Sequence, residues 1–142
     1  MSLFSTLRIS QSGLTASRLW LDTVSSNIAN ANTTRTSEGG PYRRLDVSLT
    51  PSSDAGFASF LGSASESPGT GVQVAAIVKD SSSPRMVFNP NHPDANTDGY
   101  VAMPNINIVT EMVNMVAAQR AYEANVTVMN SAKSMAMKSL EI

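Results

Sequence analysis

Apolar residues return every seven positions in the two terminal segments of this chain. In the first segment Leu7, Leu14, Leu21 and Ile28 form such a series, with Leu3, Val24 and Ala31 at interleaved positions. In the last, Ile108, Met115, Tyr122, Met129 and Ala136 form another, flanked by Met112, Val126 and Leu140. A seven-residue period keeps a narrow apolar seam on one side of a helix, the geometry of helices packed lengthwise. At about 1.5 Å per residue each helix would reach roughly 45 Å, longer than a small domain is wide. Such seams must be hidden against each other or against a neighbour. The pattern therefore predicts an α+β chain whose long N- and C-terminal helices pair as a coiled-coil-like antiparallel hairpin, with a small β-rich region between them. It also predicts an assembly protein rather than an enzyme.

The first helix is predicted from about Ser2 to Asn30, within an N-terminal axial segment of residues 1–32. Gly13 inside it costs roughly 1 kcal/mol relative to alanine. Asn27, Asn30 and Asn32, followed by Thr33, favour termination, because asparagine tolerates left-handed backbone and hydrogen-bonds its own chain. Residues 33–103 read as a small β-rich region. Tyr42 to Thr50 alternates, with Leu45, Val47 and Leu49 on one face, and predicts a half-buried strand. A second strand runs from Val72 to Val78, with Val72, Val74, Ala76 and Val78 on one face, and a short third covers Met86 to Phe88. The Ser-, Gly- and Ala-rich stretch 51–71 predicts a flexible excursion. Asn89 to Asn105 reads as turns, broken by Pro90, Pro93, Gly99 and Pro104. The C-terminal axial segment spans residues 104–142, with Asn105 or Asn107 as the helix N-cap and Glu111 favourable near its positive end.

Composition narrows the function further. The net charge of −1 argues against a nucleic-acid binder, which normally shows a basic patch. The absence of cysteine excludes disulfides, thiolate metal sites and a cysteine nucleophile. No apolar run approaches the ~18 residues of a membrane span, and Met1 to Ser12 lacks the apolar core of a cleavable secretory signal. Asp94-Ala95-Asn96-Thr97-Asp98-Gly99 matches the first half of a calcium loop, but position 12 is Asn105 rather than the bidentate glutamate, so the stretch reads as an Asx-rich turn. His92, the single histidine, stands without converging ligands or a nucleophile and reads as a solvated loop residue. No cofactor, metal or catalytic group is expected. Five of the eight methionines, Met112, Met115, Met129, Met135 and Met137, sit on the last helix, where they fill a core or adapt to non-identical neighbours. Tyr122 reads as an interface anchor with its hydroxyl at the rim.

Ser12-Gly13-Leu14-Thr15-Ala16, then Leu21-Asp22-Thr23-Val24-Ser25-Ser26-Asn27-Ile28-Ala29-Asn30-Ala31-Asn32-Thr33, resembles the N-terminal motif of the bacterial flagellar rod and hook axial proteins. Asp98 to Asn107, Glu111-Met112-Val113, Arg120 to Val126 and Lys133-Ser134-Met135 are similar to the C-terminal stretch of the proximal-rod branch of that family. The resemblance implies a structural subunit of the basal-body rod, polymerising with its own copies and with other rod subunits into a hollow helical axle that transmits torque between the membrane ring and the distal rod and hook. It further implies terminal helices paired in the inner wall, a small β-rich region outside, and export through the flagellar type III apparatus without a cleaved signal. Phe57 to Leu61 resembles an export-gate motif of rod and hook substrates. The assembly interfaces implied are Leu3, Leu7, Leu14, Leu21, Val24 and Ile28 on the first helix and Ile108, Met112, Met115, Tyr122, Val126, Met129, Ala136 and Leu140 on the last, with Asn27, Asn30, Asn32 and Thr33 as the motif turn. The rival readings are another rod or short hook-like subunit, a calcium-binding module using Asp94 to Asp98, and a cytosolic coiled-coil adaptor.

Overall fold

The computed structural model describes residues 3–52 and 71–140. Its elements are α1 (Leu3–Ala29), β1 (Leu45–Pro51), β2 (Val72–Lys79), β3 (Arg85–Phe88), β4 (Tyr100–Met103) and α2 (Ile108–Leu140). β1 and β2 form one antiparallel pair, β3 and β4 another. The fold is α+β, as expected. Of the excursion expected over 51–71, Pro51 instead ends β1, while residues 53–70, with the Phe57 to Leu61 motif, lie outside the described residues, as does the side chain of Leu3.

α1 ends at Ala29 because its last carbonyls are taken by side chains and a tightened turn. The Asn30 amide and its Nδ2 both donate to the Ser26 carbonyl, at 3.0 and 2.9 Å, and Thr33 Oγ1 donates to Asn30 Oδ1. The left-handed asparagine expected here is absent: among the described residues only glycines have positive φ. Side-chain hydrogen bonding accomplishes the stop without backbone strain. α2 begins on Asn107, whose Oδ1 accepts from the amides of Val109 and Thr110 at 3.0 and 3.4 Å, satisfying donors that the first helical turn leaves open.

α1 and α2 pair antiparallel along their length. Asn27, near the end of α1, meets Glu111 at the start of α2, and Gly13 meets Asn125. The two contacts are 14 residues apart on both helices (27 − 13 and 125 − 111), so the register is even. The buried seam keeps Val24 and Ala31 of the expected one and is otherwise offset from it. On α1 it consists of Ser10, Ala16, Ser17, Thr23, Val24 and Asn27, continued by Ala31 in the turn that follows, while Leu7, Leu14, Leu21 and Ile28 are half-buried at its flank. On α2 it consists of Glu111, Ala118 and Ala132, with Asn125 half-buried between them. Met115, Val126, Met129 and Ala136 are half-buried, whereas Ile108, Met112, Tyr122 and Leu140 are exposed in the single chain. Small residues take the centre because they let two backbones approach closely, and the larger ones are displaced to the edges.

Gly13 is the point of closest approach. A Cβ there would lie 2.8 Å from both Nδ2 and Oδ1 of Asn125, whose Nδ2 donates to the Ala121 carbonyl at 2.9 Å. The helix-propensity cost of this glycine is thus the condition for contact with α2. Gly13→Ala is expected to lower stability despite alanine's advantage of about 1 kcal/mol in a free helix, because Asn125 must rotate off Ala121. Adding Asn125→Ala should recover that loss. Urea unfolding of the two single variants and the pair tests this, and a Gly13→Ala chain more stable than the parent would contradict it.

In β1–β2 the expected faces hold only in part. Leu45, Val47, Leu49 and Pro51 oppose Lys79, Ile77, Val74 and Val72, with a register shift between Ser48 and Leu49. The bulge leaves Ala75 unpaired and reverses the alternation, so Val72 and Val74 share a face with Ile77 rather than with Ala76 and Val78. The sheet docks on α1 at Ser12, whose Oγ donates to the Ile9 carbonyl at 2.7 Å and accepts from the Val72 amide at 3.1 Å. Gly71, at φ 102°, passes so close that a Cβ would collide with Ser12 Oγ. β4 lies within the stretch read as turns alone. Asp98-Gly99 turns the chain back, and Tyr100–Met103 pairs residue by residue with Arg85–Phe88. That hairpin turns Val101 inward, buried, and leaves Met86, Phe88 and Tyr100 exposed on its other face, with Phe88 and Tyr100 edge to face at 5.3 Å.

Candidate functional site

The most buried polar group among the described residues joins three segments of chain. Asn27 (0% exposed) and Glu111 (1%) face each other across the helix pair. Asn27 Nδ2 donates to Glu111 Oε2 at 2.9 Å and to the Leu45 carbonyl at 2.8 Å. Its Oδ1 accepts from the Leu45 amide at 2.9 Å and from the Tyr42 hydroxyl at 3.2 Å. All four hydrogen-bonding positions of the amide are therefore used. Glu111 Oε1 accepts from Arg44 Nε at 2.8 Å and from Asn114 Nδ2 at 3.3 Å.

Arg44 closes the bracket from outside, with its Nη1 3.7 Å from Asp46. Burial works against its charge, but the hydrogen bond and charge of Glu111, with Asp46 and Asp80 beyond, outweigh it and hold its pKa above the ordinary arginine value. Among the described residues no buried side-chain polar atom lacks a partner. Such a network is favourable only when complete, since a buried charge left alone costs more than the pair contributes.

Sequence reasoning placed Asn27 in a terminating turn and Glu111 at a helix end. The structure places Asn27 inside α1, keeps Glu111 in the first turn of α2, and joins the two across the helix pair. The legible signal was an asparagine and a glutamate at seam positions otherwise occupied by small residues. Of the other motif residues, Asn30 and Thr33 bond to each other, and Asn32 is exposed. The calcium-like turn is engaged in the same structural manner. Asp94 Oδ2 accepts from Thr34 Oγ1 at 2.8 Å and its Oδ1 lies 3.9 Å from Arg35, while Asn96 Oδ1 accepts from the amides of Asp98 and Tyr100. Those oxygens shape a turn and tie it to the segment after α1. His92 Nδ1 accepts from the Asp94 amide at 3.1 Å.

A hollow of ≈ 210 Å³ between the 36–45 segment and Lys79 is walled by Glu38, Tyr42 and Arg43 among others. An exposed Glu38–Lys79 ion pair at 2.7 Å crosses its mouth, and the lysine hydrogen bond lowers the Glu38 pKa. Its walls carry no nucleophile–base pair.

The second surface of note is on α2. Val109, Met112, Val113 and Val116 follow the i, i+3, i+4, i+7 rule of a helical stripe, and all are exposed, Val113 by 63%. They lie on the side of α2 turned away from Glu111 and Ala118, hence away from α1. Sequence reasoning missed this row apart from Met112, because it followed the seven-residue seam alone.

Two long helices locked side by side by a buried polar bracket, with an apolar row still facing outward, define a structural subunit built to pack against neighbours. A sequence profile of flagella basal body rod proteins matches residues 7–35, and one of the flagellar basal body rod FlgEFG protein C-terminal region matches residues 97–142. Relatives named flagellar basal-body rod protein FlgC are similar over their full length. The protein from Bacillus subtilis is 47% identical over 149 residues, covering 100% of this chain and 99% of its own. That from Borreliella burgdorferi is 45% identical over 149 residues, covering 100% and 98%. That from Salmonella typhimurium is 35% identical over 142 residues, again covering 100% and 98%. The chain belongs to the flagellar basal-body rod protein family, a family of structural components and not of enzymes.

Proposed function

We propose that this chain is a structural subunit of the proximal rod of the bacterial flagellar basal body, polymerising with its own copies and with other rod components into a hollow helical axle that carries torque towards the hook. The observation that supports the reading most directly is the outward apolar row Val109, Met112, Val113 and Val116, on a helix whose opposite side is already occupied by α1. A helical polymer needs heterologous contacts that do not close on themselves. A chain with one apolar row on α2 and a separate exposed apolar face on the β3–β4 hairpin has two unlike surfaces for such contacts.

In this reading residues 1–32 and 104–142 supply the axial wall and residues 33–103 the small outer region. Leu7, Leu14, Leu21 and Ile28, half-buried at the edge of the helix pair, and the exposed Ile108, Met112, Tyr122 and Leu140 join the subunit contacts. Delivery by the flagellar type III export apparatus, with the N-terminal segment retained, belongs to the same reading. Ser10, Ser17, Val24 and Asn27 of that segment are buried packing residues, a use that a cleaved leader would not have.

Purified basal bodies test the proposal. Density for α1 and α2 of this chain should lie in the rod wall next to the membrane ring, and cells lacking the chain should build neither hook nor filament. Intact rods in its absence would overturn it.

A further inference from the structure

We infer that the Asn27–Glu111 pair is the register determinant of the α1–α2 hairpin, the feature that forbids a slide of seven residues. The seam itself tolerates such a slide. Glu111, Ala118, Asn125 and Ala132 recur every seven residues on the same face of α2, and Ala118 and Ala132 are fully buried. Moving α2 by one such step would bring Ala132 to Gly13, where Asn125 now lies, and Ala118 to Asn27, where Glu111 now lies. Gly13 against Ala132 is sterically allowed, because alanine is smaller than Asn125, whose side-chain atoms now fill the space a Cβ at Gly13 would take. By the observed register Trp20 lies level with Ala118 and after the slide would be level with Asn125, a milder size conflict on a half-buried ring.

The polar pair is what changes in kind. The slide would carry Glu111 about 10 Å along the axis, away from Asn27 and Arg44 together, and leave the Asn27 amide against an alanine. Buried polar groups are the best-attested means of specifying register between helices whose remaining contacts are degenerate. Arg44 follows α1 rather than α2, because Leu45, its neighbour, is bonded to Asn27 through both backbone groups. A glutamate at any seam position of α2 that comes level with Asn27 would therefore meet Arg44 as well.

Relocating the glutamate tests this. The chain contains no cysteine, so disulfide formation in the purified full-length protein can report register. Ser17→Cys with Ala121→Cys reports the observed register (17 + 121 equals 27 + 111), and Ser17→Cys with Val128→Cys reports the slid one. The parent should cross-link through the first pair. The Glu111→Ala, Ala118→Glu chain should cross-link through the second, because the relocated carboxylate draws Asn27 one step along α2. Continued cross-linking through the first pair alone would overturn the inference. If the relocated chain does not become helical, Asn27→Ala with Glu111→Ala decides. Both pairs forming in that chain would support the inference. The first pair alone would overturn it, and so would loss of helix there, which would make the two residues requirements for folding rather than for register.

Discussion

Glu111→Ala is expected to destabilise the purified chain by about 3–5 kcal/mol, the cost of breaking a buried charge pair by removing one partner. The substitution removes the acceptor of Asn27 Nδ2 and of Arg44 Nε at once. It leaves a fully buried amide donor facing a void and a largely buried guanidinium without its nearest carboxylate. Total stabilities of domains this size are about 5–15 kcal/mol, so a loss of that size brings the chain close to unfolding at growth temperature. Glu111→Gln keeps one carbonyl acceptor and the side-chain volume, but it removes the charge opposite Arg44 and turns the second acceptor into an NH2 group that faces a donor. Its cost should be smaller, about 1–3 kcal/mol. Urea midpoints of the two variants, measured with the m-value held constant, check the order. An alanine variant within about 1 kcal/mol of the parent would mean that water or side-chain rearrangement replaces the bracket.

Val113→Asp is expected to have the opposite profile, no effect on the free chain and loss of the assembled rod. Val113 is 63% exposed on the side of α2 away from α1, and surface substitutions away from buried features usually shift stability by less than about 0.5 kcal/mol. In a packed rod wall the same carboxylate would be desolvated without a partner, at a cost of several kcal/mol for every copy. Cells carrying the variant should express a chain of parental thermal stability yet assemble no hook and not swim. Normal swimming would remove the Val109–Val116 row from the subunit contacts, and a destabilised free chain would show that the row packs within the subunit.

Both expectations draw on a division that runs through the whole protein. The long terminal helices were legible because their evidence is local and repeated. Apolar residues recur at helical spacing over many turns, Asn107 caps one start, and the asparagine run after Ser26 closes one end. The sheet strands β1 and β2 were legible from alternation over seven or eight residues. β4 was not, because four residues after an Asp-Gly turn carry too little pattern to be read without the partner strand that stabilises them. The bulge at Ala75 was also invisible, since nothing in the run Val72 to Lys79 marks which residue is left unpaired. Pairing with β1 decides that.

The seven-residue spacing of Leu7, Leu14, Leu21 and Ile28 established that α1 would have a seam and that Val24 would join it, but not that Ser10, Ser17 and Asn27 would be buried beside Val24 while the leucines stay half-buried. Which residues sit at the centre depends on how closely the helices approach, and that distance is set jointly by Gly13 and the alanines of α2, residues more than a hundred positions apart. For the same reason Asn27 and Glu111 read singly as a turn former and a helix-end acid. Their pairing, 84 residues apart in the chain, exists only once the antiparallel register brings the end of α1 to the start of α2 and encloses both in a site that water does not reach.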